Sequence, residues 1–158
     1  MAVKRNLALQ SRQDGHYVRA LIVDDDPEIR GTVSMILREE GYEVCEAGDG
    51  SQALQLMFDI PEPMVVLLDM RMPIMNGETA LKAALEQDTV WSRVSFVIMT
   101  ANPQMMSPRM REILKLHGIP LLVKPFDIDE CIAIFDQSAH RLSGVPVVER
   151  ARRSGSLS

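Results

Sequence analysis

The sequence predicts an α/β fold, a doubly wound parallel sheet, and two observations lead to this prediction. Five short apolar segments, several of them rich in β-branched residues, alternate with five segments that carry apolar residues at helical spacing. Such alternation favours a parallel sheet with right-handed crossovers and helices on both faces. The chain of 158 residues is 46% hydrophobic, which suits one domain with its own core.

The first two strand–helix units precede Pro61. The segment VRALIV at 18–23 is predicted to be a strand buried on both faces, because it is short and mostly apolar. Asp26 is suited to cap the following helix, with Pro27 at its first position and Gly41 at its end. A weaker strand at 42–47 (YEVCEA) and a short helix that ends at Pro61 complete this half.

Three further units follow, and their strands are more apolar. These strands are predicted at 64–69 (MVVLLD), 94–100 (VSFVIMT) and 120–123 (PLLV). The helices are predicted at about 78–87, at about 105–117 and from 128 to near 142, with a loop at 73–77 before the first of them. Gly118 and Gly144 follow the last two helices, where glycine commonly ends a helix.

The domain is predicted to occupy residues 17–143. Residues 1–16 and 144–158 show no regular period and are predicted to be a flexible leader and a flexible tail. The formal net charge of −5 argues against a nucleic-acid partner. The chain shows no signal peptide and no apolar run long enough to cross a bilayer, so a cytoplasmic protein without membrane insertion is expected. Cys45 and Cys131 lack metal-ligand spacing and are interpreted as small apolar residues in a reducing compartment.

Polar residues follow four of the predicted strands directly: the acids 24–26, Asp69, Thr100 and Lys124. The carboxyl ends of parallel strands share one edge of the sheet, so these residues are expected to converge there. Adjacent carboxylates repel each other, and a bound cation would relieve that repulsion. Without a nearby His or Cys, the acids favour Mg²⁺. Taken singly, each residue has a simpler interpretation as a cap, a turn or a surface residue, and only their convergence favours a site.

Such a site suits phosphoryl transfer. A carboxylate can attack a phosphoryl group and form an aspartyl phosphate. The reaction needs mainly positioning and charge neutralisation, which a cation, the Lys124 ammonium and the Thr100 hydroxyl can supply. The sequence therefore predicts a phosphorylatable aspartate at this edge of the sheet.

Four motifs in order, VDDDPEIR, LLDMRMPIMNG, MTA and VKPF, resemble the receiver domain of two-component response regulators, in its stand-alone type. The resemblance covers about residues 18–142. It implies a flavodoxin-like fold with strand order 2-1-3-4-5. It also implies a histidine kinase or histidine phosphotransfer protein as the phosphoryl donor, and an output by protein contact or onward phosphotransfer to an unknown downstream protein. A monomer or weak homodimer is expected.

The resemblance also implies roles around the metal. Asp69 matches the phosphoacceptor and is also one of the metal ligands. Asp24 and Asp25 match the acidic pair of the family, in which Asp25 ligates Mg²⁺ directly and Asp24 does so directly or through water. The backbone carbonyl of Arg71, two residues after the acceptor, matches a further ligand.

The remaining matches concern the switch. Thr100 matches the switch hydroxyl, and Lys124 matches the lysine that precedes a cis proline, here Pro125. The family usually carries an inward-turning Tyr or Phe three residues before that lysine, whereas this chain has Leu121. The usual aromatic readout is therefore not expected. The residues that flank the site are Ala101, Asn102 and Pro125.

Two other functions fit parts of the sequence. In a haloacid-dehalogenase-type phosphatase, Asp24 and Asp26 would form the DxDx[TV] motif, and Thr100 would end a later strand. Glu28 occupies the expected Thr or Val position, the LLDMRMPIMNG block is unexplained and a cap domain is absent from the sequence. A receiver-like docking module that is never phosphorylated is less consistent with the intact set of acids, Thr and Lys.

Overall fold

The computed structural model describes residues 18–142. The predicted leader at 1–16 and tail at 144–158 lie outside the described residues, so these two predictions and the outer bounds of the domain stay predictions. The strands are β1 (Arg19–Val23), β2 (Glu43–Ala47), β3 (Met64–Asp69), β4 (Val94–Thr100) and β5 (Leu121–Val123). They form one parallel sheet in the order β2-β1-β3-β4-β5, which confirms the predicted fold class and strand order.

Six α-helices connect and cover the strands of the described region. They are α1 (Pro27–Glu39), α2 (Gly50–Asp59), α3 (Gly77–Leu85), α4 (Asp88–Trp91), α5 (Pro108–His117) and α6 (Ile128–Leu142). The predicted cap of α1 is confirmed, because the Asp26 carboxylate accepts hydrogen bonds from the backbone N–H groups of Glu28 and Ile29. Within residues 18–142, no helix combines the length and the apolar character needed to cross a membrane.

Two predicted helices have different bounds in the structure. The helix predicted from about 105 begins at Pro108, after a short 3₁₀ turn at Pro103–Met105. Ser107 caps it: the Ser107 hydroxyl accepts the N–H of Met110 at 3.1 Å. The helix predicted at 78–87 ends at Leu85, and the separate turn of α4 was not predicted. In both cases a local cap or turn outweighs the spacing of apolar residues.

The sheet divides the core into two layers. Helices α2, α3, α4 and α5 pack against one face, where Met57, Leu81 and Met110 are buried. Helices α1 and α6 pack against the other face, where Leu37 and Phe135 are buried. Both faces of the central strands are covered, and the carboxyl ends of β1, β3, β4 and β5 are left to form a common edge.

Candidate functional site

Three carboxylates meet at the carboxyl edge of the sheet. Asp24 directly follows β1 and Asp69 ends β3, and these two strands are neighbours in the sheet. Carboxylate oxygens of Asp24, Asp25 and Asp69 all lie within 4.8 Å of one another. Asp24 and Asp69 are 1% and 6% exposed, whereas Asp25 is exposed. This oxygen-only set of ligands, buried on one side and open on the other, fits a hard divalent cation.

Lys124 neutralises part of this charge. Its Nζ lies 2.5 Å from Asp24 Oδ2 and 3.4 Å from Asp69 Oδ1. Burial lowers the pKa of Lys124, but the hydrogen bond to Asp24 and the charges of Asp69 and Asp24 outweigh burial, so that the pKa is raised overall. The ammonium therefore stays charged beside the acids.

The surroundings of Asp69 perturb its carboxyl group strongly. Burial and the charge of Asp24 raise the pKa of Asp69 to about 6, although Lys124 and a backbone hydrogen bond from Arg71 oppose the shift. The ionised carboxylate is therefore costly at neutral pH without a further cation. A perturbed carboxylate in an open site is a typical feature of a functional group.

The orientation of Asp24 is fixed at both of its oxygens. Oδ1 accepts the backbone N–H of Asp26 at 3.0 Å, while Oδ2 contacts Lys124. The backbone carbonyl of Asp24 accepts a hydrogen bond from Arg30 Nη1 at 2.8 Å. Asp26 itself is exposed and caps α1, so it lies outside the carboxylate cluster.

Thr100 stands at the end of β4, where it is 6% exposed. Its hydroxyl oxygen accepts the backbone N–H of Asn102 at 3.1 Å, so it faces its own loop. A cleft of about 170 Å³ opens next to it, and Arg71 and Asn102 are among the residues that line this cleft. Arg71 and Asn102 thus lie in the cleft beside Thr100, at the carboxyl edge of the sheet, while the carbonyl role of Arg71 stays a prediction.

Leu121 begins β5, and Lys124 and Pro125 directly follow that strand. Leu121 is half-buried and packs against the core beneath α5, where it lines an apolar groove of about 360 Å³ with Met106 and Leu114. The peptide between Lys124 and Pro125 is cis, as predicted.

Ala101 is exposed at the start of the loop that follows β4. Met99, one residue before Thr100 in β4, is fully buried.

One side-chain contact at the cleft was not predicted from the sequence. The Ser107 hydroxyl donates to Glu78 Oε1 at 2.7 Å, which joins the start of α5 to the start of α3. The dipeptide Ser107-Pro108 is a typical helix start and could have revealed the cap. No local pattern marks Glu78, because its role depends on the approach of two distant loops.

Known proteins resemble this chain over most of its length. The family model described as "Response regulator receiver domain" matches residues 20–136. Sporulation initiation phosphotransferase F of Bacillus subtilis is 35% identical over 112 residues, which are 71% of this chain and 86% of that protein. Regulatory protein AtoC of Escherichia coli is 38% identical over 112 residues, and the chain spans only 23% of its length.

Solved structures also resemble this chain. A CheY-like response regulator receiver domain protein from Methanospirillum hungatei gives a TM-score of 0.68 at 28% identity, covering 79% of this chain and 96% of that chain. A chain of the CheX-CheY-BeF3-Mg+2 complex from Borrelia burgdorferi gives a TM-score of 0.64 at 25% identity, covering 78% of this chain and 90% of that chain.

Proposed function

The chain belongs to the family of response regulator receiver domains, and we propose that Asp69 is its phosphoryl acceptor and that the reaction requires Mg²⁺. A receiver domain is a signalling module rather than a catalytic enzyme. The observation that carries the proposal is the position of the Asp69 carboxylate. It is nearly buried, grouped with two further carboxylates and 3.4 Å from the Lys124 ammonium.

The proposed reaction is a direct transfer from a phosphohistidine. An oxygen of Asp69 attacks the phosphorus atom, and an O–P bond forms while the N–P bond of the donor breaks. The electron pair of the broken bond stays on the imidazole nitrogen. Since the transferred group is negatively charged throughout, the site acts mainly by positioning the reactants and by neutralising the charge of the phosphoryl oxygens.

Each neighbouring residue has a part in that neutralisation. Asp24, Asp25, Asp69 and the backbone carbonyl of Arg71 would hold Mg²⁺, which would supply positive charge next to the phosphoryl oxygens. Lys124 would neutralise a second oxygen and already lies between Asp24 and Asp69. The Thr100 hydroxyl would leave its own loop and donate to a third oxygen.

We infer the class of the partner protein from the chemistry of the proposed phosphoryl transfer. A histidine kinase or histidine phosphotransfer protein is the expected donor, because receiver domains partner with kinases and phosphotransferases. The output is a protein contact or onward phosphotransfer, and the name of the Bacillus subtilis relative, a phosphotransferase, supports the second route. The haloacid-dehalogenase interpretation is not retained, because the family match includes the LLDMRMPIMNG block that it left unexplained.

A small acyl phosphate tests the proposal without any partner protein. The purified protein is incubated with the acyl phosphate and Mg²⁺, and its intact mass is expected to increase by one phosphoryl group. The increase is expected to disappear with a chelator and in Asp69→Asn. Asp26→Asn is the matched control, since Asp26 is exposed and Asn caps a helix equally well.

Labelling that persists in Asp69→Asn would refute the acceptor, and labelling that persists with a chelator would refute the metal requirement. If the wild-type protein takes up no phosphoryl group, the unphosphorylated docking module becomes the better function.

A further inference from the structure

The hydrogen bond between Ser107 and Glu78 joins the two walls of the cleft beside Thr100. Glu78 lies in the first turn of α3, after the loop that follows Asp69. Ser107 lies at the end of the loop that follows Thr100. The Oγ–Oε1 distance of 2.7 Å is that of a good hydrogen bond, and the ionised acceptor makes it stronger than a neutral one.

Ser107 and Lys82 keep the Glu78 carboxyl group ionised, so that it can accept this hydrogen bond. The Ser107 hydroxyl lowers the pKa of Glu78, burial opposes this, and Lys82 at 3.4 Å lowers the pKa further. The carboxylate is therefore ionised at neutral pH. Lys82 also fixes it from the opposite side, one turn along α3.

The loop and α5 are joined into one unit. Arg111 Nη2 of α5 donates to the backbone carbonyls of Pro103 and Gln104, each at 3.2 Å. The Ser107 hydroxyl oxygen also accepts the N–H of Met110, which is fully buried. A displacement of the loop is therefore transmitted to the first turn of α5.

The inner end of the same loop is Thr100. Its hydroxyl oxygen now accepts the N–H of Asn102, and it must turn away from that group to donate to a phosphoryl oxygen on Asp69. The loop is thus held at its inner end by the Asn102 contact with Thr100 and at its outer end by the Glu78 contact with Ser107. A bond made in only one of two conformations favours that conformation over the other.

We propose that Glu78 is a positioning residue: its bond to Ser107 holds the loop 101–107 in the unphosphorylated arrangement and opposes the engagement of Thr100 with a phosphoryl group. The inference rests on the proposed function of Asp69 and names a regulator of that same site. By linkage, loss of the bond increases the affinity of the site for a phosphoryl group. The expected size is that of one partly exposed, charge-assisted hydrogen bond, about threefold to tenfold in affinity.

Beryllofluoride with Mg²⁺ is the probe, and ¹⁹F NMR follows its binding directly. Glu78→Ala and Ser107→Asp are both expected to bind beryllofluoride about threefold to tenfold more tightly than the wild type. Asp keeps the cap of α5 but replaces the donor with a second carboxylate. Glu78→Ala removes a negative charge near the site and Ser107→Asp adds one, so a shared increase in affinity excludes a simple effect of charge on anion binding.

Two controls complete the experiment. Ser107→Thr keeps both the hydroxyl donor and the cap, so this variant is expected to bind beryllofluoride with the wild-type affinity. Glu86→Ala removes an exposed acid at the end of the same helix and is expected to leave the affinity unchanged. The double variant of Glu78→Ala with Ser107→Asp is expected to bind no more tightly than the tighter single variant, because both remove the same bond.

Unchanged or weaker binding in Glu78→Ala would overturn the inference, and so would opposite shifts in Glu78→Ala and Ser107→Asp. A wild-type protein that binds no beryllofluoride would instead refute the proposed function, and the inference would be refuted with it. The two failures are therefore distinguishable in one set of spectra.

Discussion

Lys124 and Asp24 lie 100 residues apart in the chain, yet Lys124 Nζ and Asp24 Oδ2 are only 2.5 Å apart in the fold. The second oxygen of Asp24 accepts the N–H of Asp26, so this carboxylate is held by both the strand end and the lysine. One ammonium cannot balance the three carboxylates of the cluster. The excess negative charge makes the site favourable for a cation and costly without one.

The first prediction follows from that cost and concerns Asp69→Asn without metal. Burial and the charge of Asp24 raise the pKa of Asp69 to about 6, above its ordinary value of 3.8. A carboxyl whose pKa is raised in the folded state stabilises the fold below its unfolded pKa, and that stability is lost as pH rises through about 6. The ionised Asp69 therefore destabilises the metal-free fold at pH 8.

Asn removes this charge without changing the size of the side chain. In the presence of a chelator, Asp69→Asn is expected to raise the free energy of unfolding at pH 8 by about 1–2 kcal/mol, a value reduced for the open side of the site. Near pH 4 the gain is expected to be much smaller. Urea unfolding at both pH values measures the difference, with Asp26→Asn as the control. Equal stability of the variant and the wild type at pH 8 would contradict the prediction.

The second prediction concerns the close approach of Gly77 to the end of β3. A Cβ at Gly77 would lie 2.3 Å from the carbonyl oxygen of Asp69 and 3.0 Å from the Cα of Met70. These are backbone atoms, so the loop must move to admit it. Gly77→Ala is expected to lower the free energy of unfolding by about 2–3 kcal/mol and to slow acyl phosphate labelling.

Gly31 supplies the matched control within α1. A Cβ at Gly31 would have nothing within 4 Å, and the position lies inside a helix. Gly31→Ala is therefore expected to stabilise the protein by about 0.5–1 kcal/mol. Chemical denaturation of both variants measures the contrast, and equal effects of the two changes would show that the approach to Asp69 imposes no constraint.

The sequence predicted the sheet and its edge residues because these follow local rules. The five apolar residues 64–68 (MVVLL) favour a buried strand, and Asp69, which ends that strand, is then expected at the edge of the sheet. The convergence of Asp24, Thr100 and Lys124 then follows from parallel topology alone. The helix α1 was predicted equally well, because Asp26 and Pro27 define its start.

The loop between β4 and α5 was predicted less well. A helix was predicted from about 105, yet Met105 is exposed and ends a short 3₁₀ turn, whereas α5 begins at Pro108 and buries Met110. The cap at Ser107 determines the start of α5 instead. The contact of Ser107 with Glu78 depends on the distance between two loops, and the local sequence does not determine that distance.

The third prediction concerns the lifetime of the phosphoryl group. Arg71 and Asn102 line the cleft through which water would reach an aspartyl phosphate. Asn102 offers no carboxylate to act as a base, so slow self-hydrolysis is expected. Arg71→Ala and Asn102→Ala are each expected to change the decay rate of the labelled protein, which intact mass follows over time. If neither variant changes the decay rate, these side chains do not control the access of water.

The last prediction concerns how the signal leaves the site. Phosphorylation is expected to turn the Thr100 hydroxyl away from Asn102 and to displace the loop 101–106, which Arg111 ties to α5. Leu121 is half-buried against the core beside Met106 and has no hydroxyl, so it is expected to stay in the apolar packing in both states. The route therefore runs through the loop and α5, without a side-chain movement at Leu121.

Hydrogen exchange with and without phosphorylation tests this route. The change in exchange is expected to be concentrated in residues 101–117, because these residues form the displaced loop and the attached helix. It is expected to disappear in Thr100→Ala and to persist in Leu121→Ala. Asp69→Asn provides the unlabelled control and is expected to show no change on treatment with acyl phosphate. If Leu121→Ala abolishes the change while Thr100→Ala preserves it, the signal passes through β5, and the proposed coupling of Thr100 to α5 is wrong.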